Sequence, residues 1–227
     1  GRLMGGPLPA PALLHPAPKG GVVLSEADAK AALAAKGLAV PNAVTAATPE
    51  KIAEAAQGLA FPVALKGLGF AHKTEAGAVR LNIASPGALA GAAKAMTGAE
   101  EFLAEEMVTG AVAELLVGVT RDPTGLMLLT LGAGGIMAEM LEDVASVLLP
   151  ATDEDILGAL ERLRIAKVLH GWRGRPAADM RAVVAAVQAI AAYAAGEPRL
   201  IELDVNPLIA TTDRAVAVDA LIRLSEV

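Results

Sequence analysis

The sequence predicts an α+β protein, because its predicted strands often follow one another with no helix between them. A doubly wound α/β sheet would alternate strand and helix instead. The 227 residues suit one large domain or two small ones, and they are enough to bury a core. Hydrophobic residues make up 54% of the chain but aromatic residues only 2%, so Ala, Val, Leu, Ile and Met must build that core.

Capping residues locate the predicted helices. Ser25 can cap a helix over residues 25–36, and Thr48 followed by Pro49 can begin a second helix. Further helices are predicted over residues 86–97, 153–164 and 177–195.

Short apolar or alternating runs between turn residues predict the strands. These runs cover residues 61–65, 78–83, 102–108, 112–120, 125–131, 144–149, 200–208 and 215–221. A glycine loop, residues 132–135, follows the fifth run and could bind an anion. It lacks the Rossmann and Walker spacings, so it is a weak signal alone.

Charge and composition exclude several classes of function. The formal net charge is −6 and no basic stripe is present, which argues against a nucleic-acid partner. The absence of cysteine excludes disulfides, thiolate metal sites and a cysteine nucleophile. No apolar run reaches the roughly 18 residues of a membrane span, and no signal-peptide pattern is present. We therefore expect a soluble, cytoplasmic protein that does not enter a membrane.

The last two predicted strands carry the most informative polar pattern. Side chains on a strand alternate between faces, so Asp204 and Asn206 share one face. If Thr212 and Asp213 form a two-residue hairpin loop, residues whose numbers sum to 425 pair, and Asn206 falls opposite Asp219. Cβ atoms of such a pair lie roughly 4.5–5.5 Å apart. The amide and carboxylate oxygens could then share Mg²⁺, which prefers oxygen ligands. The alternative is a polar face turned to solvent.

Three other places could contact a ligand. Lys66 ends an apolar strand, and the amides of the glycine loop that follows, with lysines nearby, could hold phosphate oxygens. His72 in this loop is, taken alone, typical of a surface or structural histidine. Glu106 and Glu114 lie on neighbouring predicted strands, where a carboxylate could accept hydrogen bonds from sugar hydroxyls. A solvated turn around Lys66, an exposed edge at Glu106 and an outward-facing Glu114 remain open alternatives.

Eight segments occur in the order found in one known family. They are FPVALKG, HKTEAGAVRLN, FLAEEMV, ELLVGVTRDP, LGAGGIMAEMLEDV, GWRGRP, ELDVNPL and VAVDALI. In this order they resemble the ATP-grasp domain of NDP-forming acyl-CoA synthetases, a group that includes the β subunits of ADP-forming acetyl-CoA synthetases and, more distantly, of succinyl-CoA synthetase. The resemblance extends from about residue 22 to the C-terminus.

The resemblance implies an ATP-grasp fold, in which two α+β subdomains grip a nucleotide between them. We expect a Pro/Gly-rich linker or tail over residues 1–21. A small subdomain would cover residues 22–108, and a large subdomain with the metal site would cover residues 109–227.

The resemblance also implies nucleotide contacts. Lys66 would contact the phosphates, and Arg121 would lie near them. Glu106 and Val108 would offer backbone groups to the adenine edge in the hinge between the subdomains. Glu114 would bind the ribose hydroxyls.

The remaining roles concern the metal and the catalytic step. Asn206 and Asp219 match the family's magnesium ligands. Asp204 falls where the family keeps an acid near the phosphohistidine of the catalytic loop. His72 holds the position that is thought to take the phosphoryl group in relay in some two-subunit members, with a simple phosphate contact as the alternative.

The family reaction is acyl-CoA + ADP + phosphate ⇌ carboxylate + CoA + ATP, through an acyl phosphate and a phosphorylated histidine. The resemblance therefore implies ATP or ADP and Mg²⁺ as cofactors. It also implies a partner, either an α subunit or a fused CoA-binding domain, that supplies the catalytic histidine. The chain would act in a hetero-oligomer or as a domain of a longer chain. Two alternatives are an ATP-grasp carboxylate–amine ligase and a non-catalytic regulatory module of a protein acetyltransferase.

Overall fold

Two antiparallel sheets and the helices packed on them make up the described part of the chain, which in this computed structural model is residues 21–69, 78–135 and 143–226. The described helices are Glu26–Ala34 (α1), Pro49–Ala55 (α2), Pro86–Ala95 (α3), Asp153–Glu161 (α4), Ala166–Leu169 (α5) and Met180–Gly196 (α6). The described strands are Val22–Val23 (β1), Ala43–Ala46 (β2), Val63–Leu68 (β3), Val79–Ile83 (β4), Glu101–Glu106 (β5), Ala113–Arg121 (β6), Met127–Ala133 (β7), Val144–Leu148 (β8), Leu200–Ala210 (β9), Ala215–Ala217 (β10) and Ala220–Leu224 (β11). The predicted α+β class is confirmed.

The smaller sheet has the strand order β2-β5-β3-β4. Helices α2 and α3 supply Ile52 and Leu89 to its apolar core, where they join Leu65, Ile83 and Phe102 from the strands. The predicted helix start at Thr48 is confirmed, because its side chain accepts a hydrogen bond from an amide in the first turn of α2. Ser85 caps α3 in the same way.

The larger sheet has the strand order β1-β11-β9-β6-β7-β8, and β10 also pairs with β9. Its core combines Leu33 of α1, Leu160 of α4 and Ile190 of α6 with strand residues such as Val117 and Leu203. From β1 onward, the described chain thus starts in the larger sheet, crosses to the smaller one and returns. The predicted boundary between residues 108 and 109 stays a prediction.

One predicted helix, residues 153–164, is shorter than expected. Helix α4 ends at Glu161, and the buried carboxylate of Asp143 accepts hydrogen bonds from the amides of Arg164 and Ile165 at 2.8 and 2.9 Å. This carboxylate satisfies amides at the start of α5, so the chain begins a separate short helix there.

The last predicted strand, residues 215–221, is divided into β10 and β11 at Val218 and Asp219. The two halves keep one register against β9. None of the described helices combines the length and apolarity that a bilayer crossing requires.

Candidate functional site

The hairpin register near the C-terminus matches the predicted one. Residue pairs on both sides of the strand break have numbers that sum to 425, namely Ala217 with Leu208 and Ala220 with Val205. The loop is also as predicted, because the amide of Thr211 donates to the carbonyl of Arg214 at 2.8 Å. Asn206 and Asp219 therefore occupy opposing positions between the two paired runs.

Pro207 explains why the ladder is interrupted beside this pair. The amide of Val218 donates to the carbonyl of Pro207 at 3.2 Å, but proline has no N–H to return the second bond. The carbonyl of Val218 accepts instead from the ammonium of Lys66, at 2.6 Å. A lysine of the smaller sheet is thereby fixed next to Asp219 of the larger one.

Lys66 is buried among acidic side chains. Its Nζ atom lies 2.6 Å from Glu26 Oε1 and 2.5 Å from Glu105 Oε1. Burial by itself would lower the pKa of Lys66, but the carboxylates of Glu26, Glu105 and Asp219 more than reverse this effect and raise it. Lys66 therefore carries a full positive charge at neutral pH.

Asp204 lies on β9, two residues before Asn206, and is half-buried. Burial raises its pKa to about 6, and the charges of Asp219 and Glu202 add to the shift. Because Asp219 affects the pKa of both Asp204 and Lys66, the three charged groups interact at one place.

The glycine loop after β7 joins the same place. The amide of Gly135 donates to Asn206 Oδ1 at 3.0 Å, and the amide of Gly134 donates to the Glu114 carbonyl at 2.8 Å. A Cβ on Gly134 would lie 2.5 Å from the Leu115 backbone, and one on Gly135, whose φ is 60°, would collide with the Glu114 carboxylate. The sequence patterns did not predict this hydrogen bond between Gly135 and Asn206. The adjacent glycines were the one feature of the sequence that indicated a close approach of the backbone here.

Glu114 is exposed on β6, with its carboxylate against Gly135. This position keeps a negatively charged acceptor in solvent and close to the glycine loop. The arrangement is compatible with the predicted hydrogen bonds to ribose hydroxyls, a role that stays a prediction.

Glu106, the last residue of β5, connects two neighbouring segments of the chain through hydrogen bonds. Its carboxylate accepts hydrogen bonds from the Ala60 amide at 2.8 Å and from Asn42 Nδ2 at 3.0 Å, and its own amide donates to the Asn42 carbonyl. A contact with an adenine edge would therefore use the Glu106 carbonyl or the backbone of Val108, which follows β5 and is half-buried.

The prediction that Arg121 lies near the phosphates requires correction. Its guanidinium donates to three backbone carbonyls, those of Ala194, Glu197 and Leu200, at 3.1–3.2 Å. These carbonyls belong to the end of α6 and the start of β9. Arg121 thus satisfies acceptors left over at a helix C-terminus, where a cation is favoured.

His72 lies outside the described residues, within the gap at residues 70–77. Its predicted catalytic roles therefore stay predictions.

The donor set fits Mg²⁺. Asn206 and Asp219 offer an amide oxygen and a carboxylate, and the Asn206 oxygen can accept from Gly135 and still use its second lone pair. No cluster of three or more His, Cys, Asp or Glu side chains suited to a metal occurs in the described ranges. Mg²⁺ commonly takes one or two protein oxygens and completes its shell with phosphates and water.

Comparison with known proteins points to one family. The family model for an ATP-grasp domain matches residues 17–224. The beta subunits of acetate–CoA ligase (ADP-forming) I and II of Pyrococcus furiosus are 29% and 32% identical to the chain. These matches cover 87% and 91% of this chain and 90% and 93% of the relatives. A trans-feruloyl-CoA synthase from an unknown prokaryotic organism is 33% identical over 88% of this chain but only 30% of its own length.

The same relationship appears among solved structures. An acetyl-coenzyme A synthetase 1 of Ca. Korarchaeum cryptofilum, in complex with coenzyme A and Ca-AMPCP, superposes with a TM-score of 0.83 at 27% identity, covering 89% of this chain and 93% of that one. A complex of that enzyme with coenzyme A and Mg-AMPPCP gives 0.79 at 27% identity over 89% and 92% of the two chains. The described sheets thus form an ATP-grasp fold, and the chain belongs to the ATP-grasp domain family.

Proposed function

We propose that this chain is the nucleotide-binding component of an NDP-forming acyl-CoA synthetase. It would transfer a phosphoryl group between a phosphohistidine and ADP within the reaction acyl-CoA + ADP + phosphate ⇌ carboxylate + CoA + ATP. One observation carries the proposal, namely that the hairpin register sets Asn206 opposite Asp219 beside the ammonium of Lys66.

Charge neutralisation is the main task of such a site, since phosphoryl transfer depends mostly on positioning and electrostatic stabilisation. Lys66 supplies a buried positive charge, and Asn206 and Asp219 supply oxygens that would hold Mg²⁺. Bound Mg²⁺ would offset charge on the nucleotide phosphates. The amide of Gly135 holds the Asn206 side chain in place, and the amide of Gly134 holds the backbone of Glu114.

In this proposal, both sheets contribute groups that recognise the nucleoside. Glu114 would accept hydrogen bonds from the ribose, and the Glu106 carbonyl and Val108 backbone would meet the adenine edge. Asp204 would lie near the incoming phosphohistidine as a positioning acid, and His72 would receive or contact the phosphoryl group. These are the roles that the sequence predicts for these residues.

The relatives support the acyl-CoA synthetase assignment. The matched Pyrococcus proteins are beta subunits of ADP-forming acetate–CoA ligases, and one Korarchaeum complex has its phosphohistidine segment pointing towards the nucleotide binding site. We therefore propose that an α subunit or a fused CoA-binding domain presents the phosphohistidine to this chain. The proposal includes the cytoplasmic location expected from the sequence, where ATP, ADP and coenzyme A are found.

Isothermal titration calorimetry with ADP and Mg²⁺ tests the proposal. We expect the wild type to bind ADP in a Mg²⁺-dependent way and Asp219→Ala to bind about tenfold more weakly or worse, because a metal ligand is lost. Asp213→Ala is the matched control, since it removes an exposed acid of the same hairpin. Equal affinity of wild type and Asp219→Ala would show that Asp219 does not hold the metal.

A further inference from the structure

Four charged side chains are buried where the two sheets meet. Glu26 and Lys30 come from α1, which packs in the core of the larger sheet, and Lys66 and Glu105 come from strands of the smaller sheet. Each is no more than 7% exposed. We call these four residues the inter-sheet cluster, and two positive and two negative formal charges balance within it.

Every donor of Lys66 is already used in the inter-sheet cluster. An ammonium has three N–H groups, and those of Lys66 meet Glu26, Glu105 and the Val218 carbonyl at 2.5–2.6 Å. A phosphate oxygen can bind Lys66 only if at least one of these contacts is released. Release from Glu26 or Glu105 would leave a buried carboxylate with less compensating charge, which is strongly unfavourable.

Lys30 reaches the same acceptors. Its Nζ atom lies 3.0 Å from Glu26 Oε1 and 3.5 Å from the Val218 carbonyl, and it forms a close ion pair with Glu105. The two lysines thus share all three acceptors. When Lys66 turns away, a second cation is already in contact with the groups that it leaves.

We propose that Lys30 is a positioning residue that releases Lys66 to the nucleotide phosphates by taking over Glu26, Glu105 and the Val218 carbonyl. This inference rests on the proposed function and deepens it, because it makes nucleotide affinity depend on a residue that does not touch the nucleotide. The exchange keeps the buried carboxylates compensated in both the nucleotide-free and the nucleotide-bound protein.

Loss of Lys30 should weaken Mg²⁺–ADP binding, and a second substitution should restore it. In Lys30→Met, Lys66 becomes the one lysine left to offset two carboxylates, so it is held more tightly and Mg²⁺–ADP binds more weakly. Adding Glu105→Gln removes one of these carboxylates, so Lys66 is released more easily again. A merely structural role for Lys30 would instead make the double variant at least as defective as the single one.

The experiment is a titration of Mg²⁺–ADP into the full chain, with the thermal unfolding midpoint of each variant as a check on folding. We expect affinity to fall about tenfold for Lys30→Met and to stay near wild type for Lys30→Arg, which keeps the charge. The double variant Lys30→Met/Glu105→Gln should recover most of the loss. Lys51→Met is the matched control, because it removes an exposed lysine of α2.

Two results would overturn the inference, namely wild-type affinity in Lys30→Met or a double variant that binds no better than Lys30→Met. If Lys30→Met does not fold, Glu105→Gln alone decides, because it should bind Mg²⁺–ADP several-fold more tightly than wild type. Unchanged or weaker binding by that variant would also overturn it. Failure of the proposed function is distinct, because the wild type itself would then not bind Mg²⁺–ADP.

Discussion

Pro207 and Val218 face each other across the C-terminal hairpin but share a single backbone hydrogen bond, from the Val218 amide to the Pro207 carbonyl. The return bond is impossible because proline has no N–H. The Val218 carbonyl therefore accepts from Lys66, and one proline in the segment ELDVNPL fixes a buried lysine beside Asp219. This arrangement connects the two sheets at the point where we place the metal and the phosphates.

Gly135→Ala should disturb the site and the fold together. The φ at this position is 60°, where residues with a side chain are strained, and the exposed Glu114 carboxylate must move to make room for the new Cβ. We expect a loss of about 1–3 kcal/mol in the free energy of unfolding and weaker Mg²⁺–ADP binding. Urea unfolding and calorimetry measure the two effects.

Gly158→Ala is the control for that substitution. Gly158 lies within α4, and an added Cβ meets nothing within 4 Å. It should raise the free energy of unfolding by about 0.5–1 kcal/mol, since alanine favours a helix interior over glycine. If both variants changed stability alike, the left-handed backbone conformation of Gly135 would not be the cause.

Arg121→Met should lower stability without weakening nucleotide binding. The change leaves the backbone carbonyls of Ala194, Glu197 and Leu200 without their common donor, and we expect a loss of about 1–3 kcal/mol in the free energy of unfolding. The Mg²⁺–ADP dissociation constant should stay within about twofold of wild type. A large loss of affinity in a stable, folded variant would restore the original prediction that Arg121 lies near the phosphates.

The pKa of Asp204 predicts a pH-dependent stability. Burial raises this pKa to about 6 from the ordinary value near 3.8, so the folded state favours the protonated carboxyl. Its contribution to stability is complete below the ordinary pKa and is lost as the pH rises through about 6. With a chelator present, Asp204→Asn should therefore unfold at a higher temperature than wild type at pH 8. The difference should vanish near pH 4, and a difference independent of pH would contradict the assignment.

Local patterns predicted much of the fold and part of the site. Alternation on β9 and a two-residue loop at Thr212 and Asp213 were enough to predict the register that sets Asn206 opposite Asp219, because a hairpin pairs residues close in sequence. The caps at Ser25 and Thr48 were predictable for the same reason.

Contacts between distant segments were not predictable from local patterns. Arg121 meets carbonyls more than 70 residues away, and Lys66 meets Glu26, which is 40 residues away on a helix of the other core. Periodicity within a segment shows which face is buried but not which segment covers it. A signal for the inter-sheet cluster did exist, since Glu26 and Lys30 are spaced i,i+4 on a helix that is otherwise rich in alanine.

A crystal structure of the chain with Mg²⁺ and a non-hydrolysable ATP analogue tests the central claim most directly. The account predicts a metal ion about 2.0–2.1 Å from Asn206 Oδ1 and from a carboxylate oxygen of Asp219, with its other ligands from phosphates and water. It also predicts that Lys66 Nζ contacts a phosphate oxygen. A nucleotide-bound metal that touches neither Asn206 nor Asp219 would contradict the account.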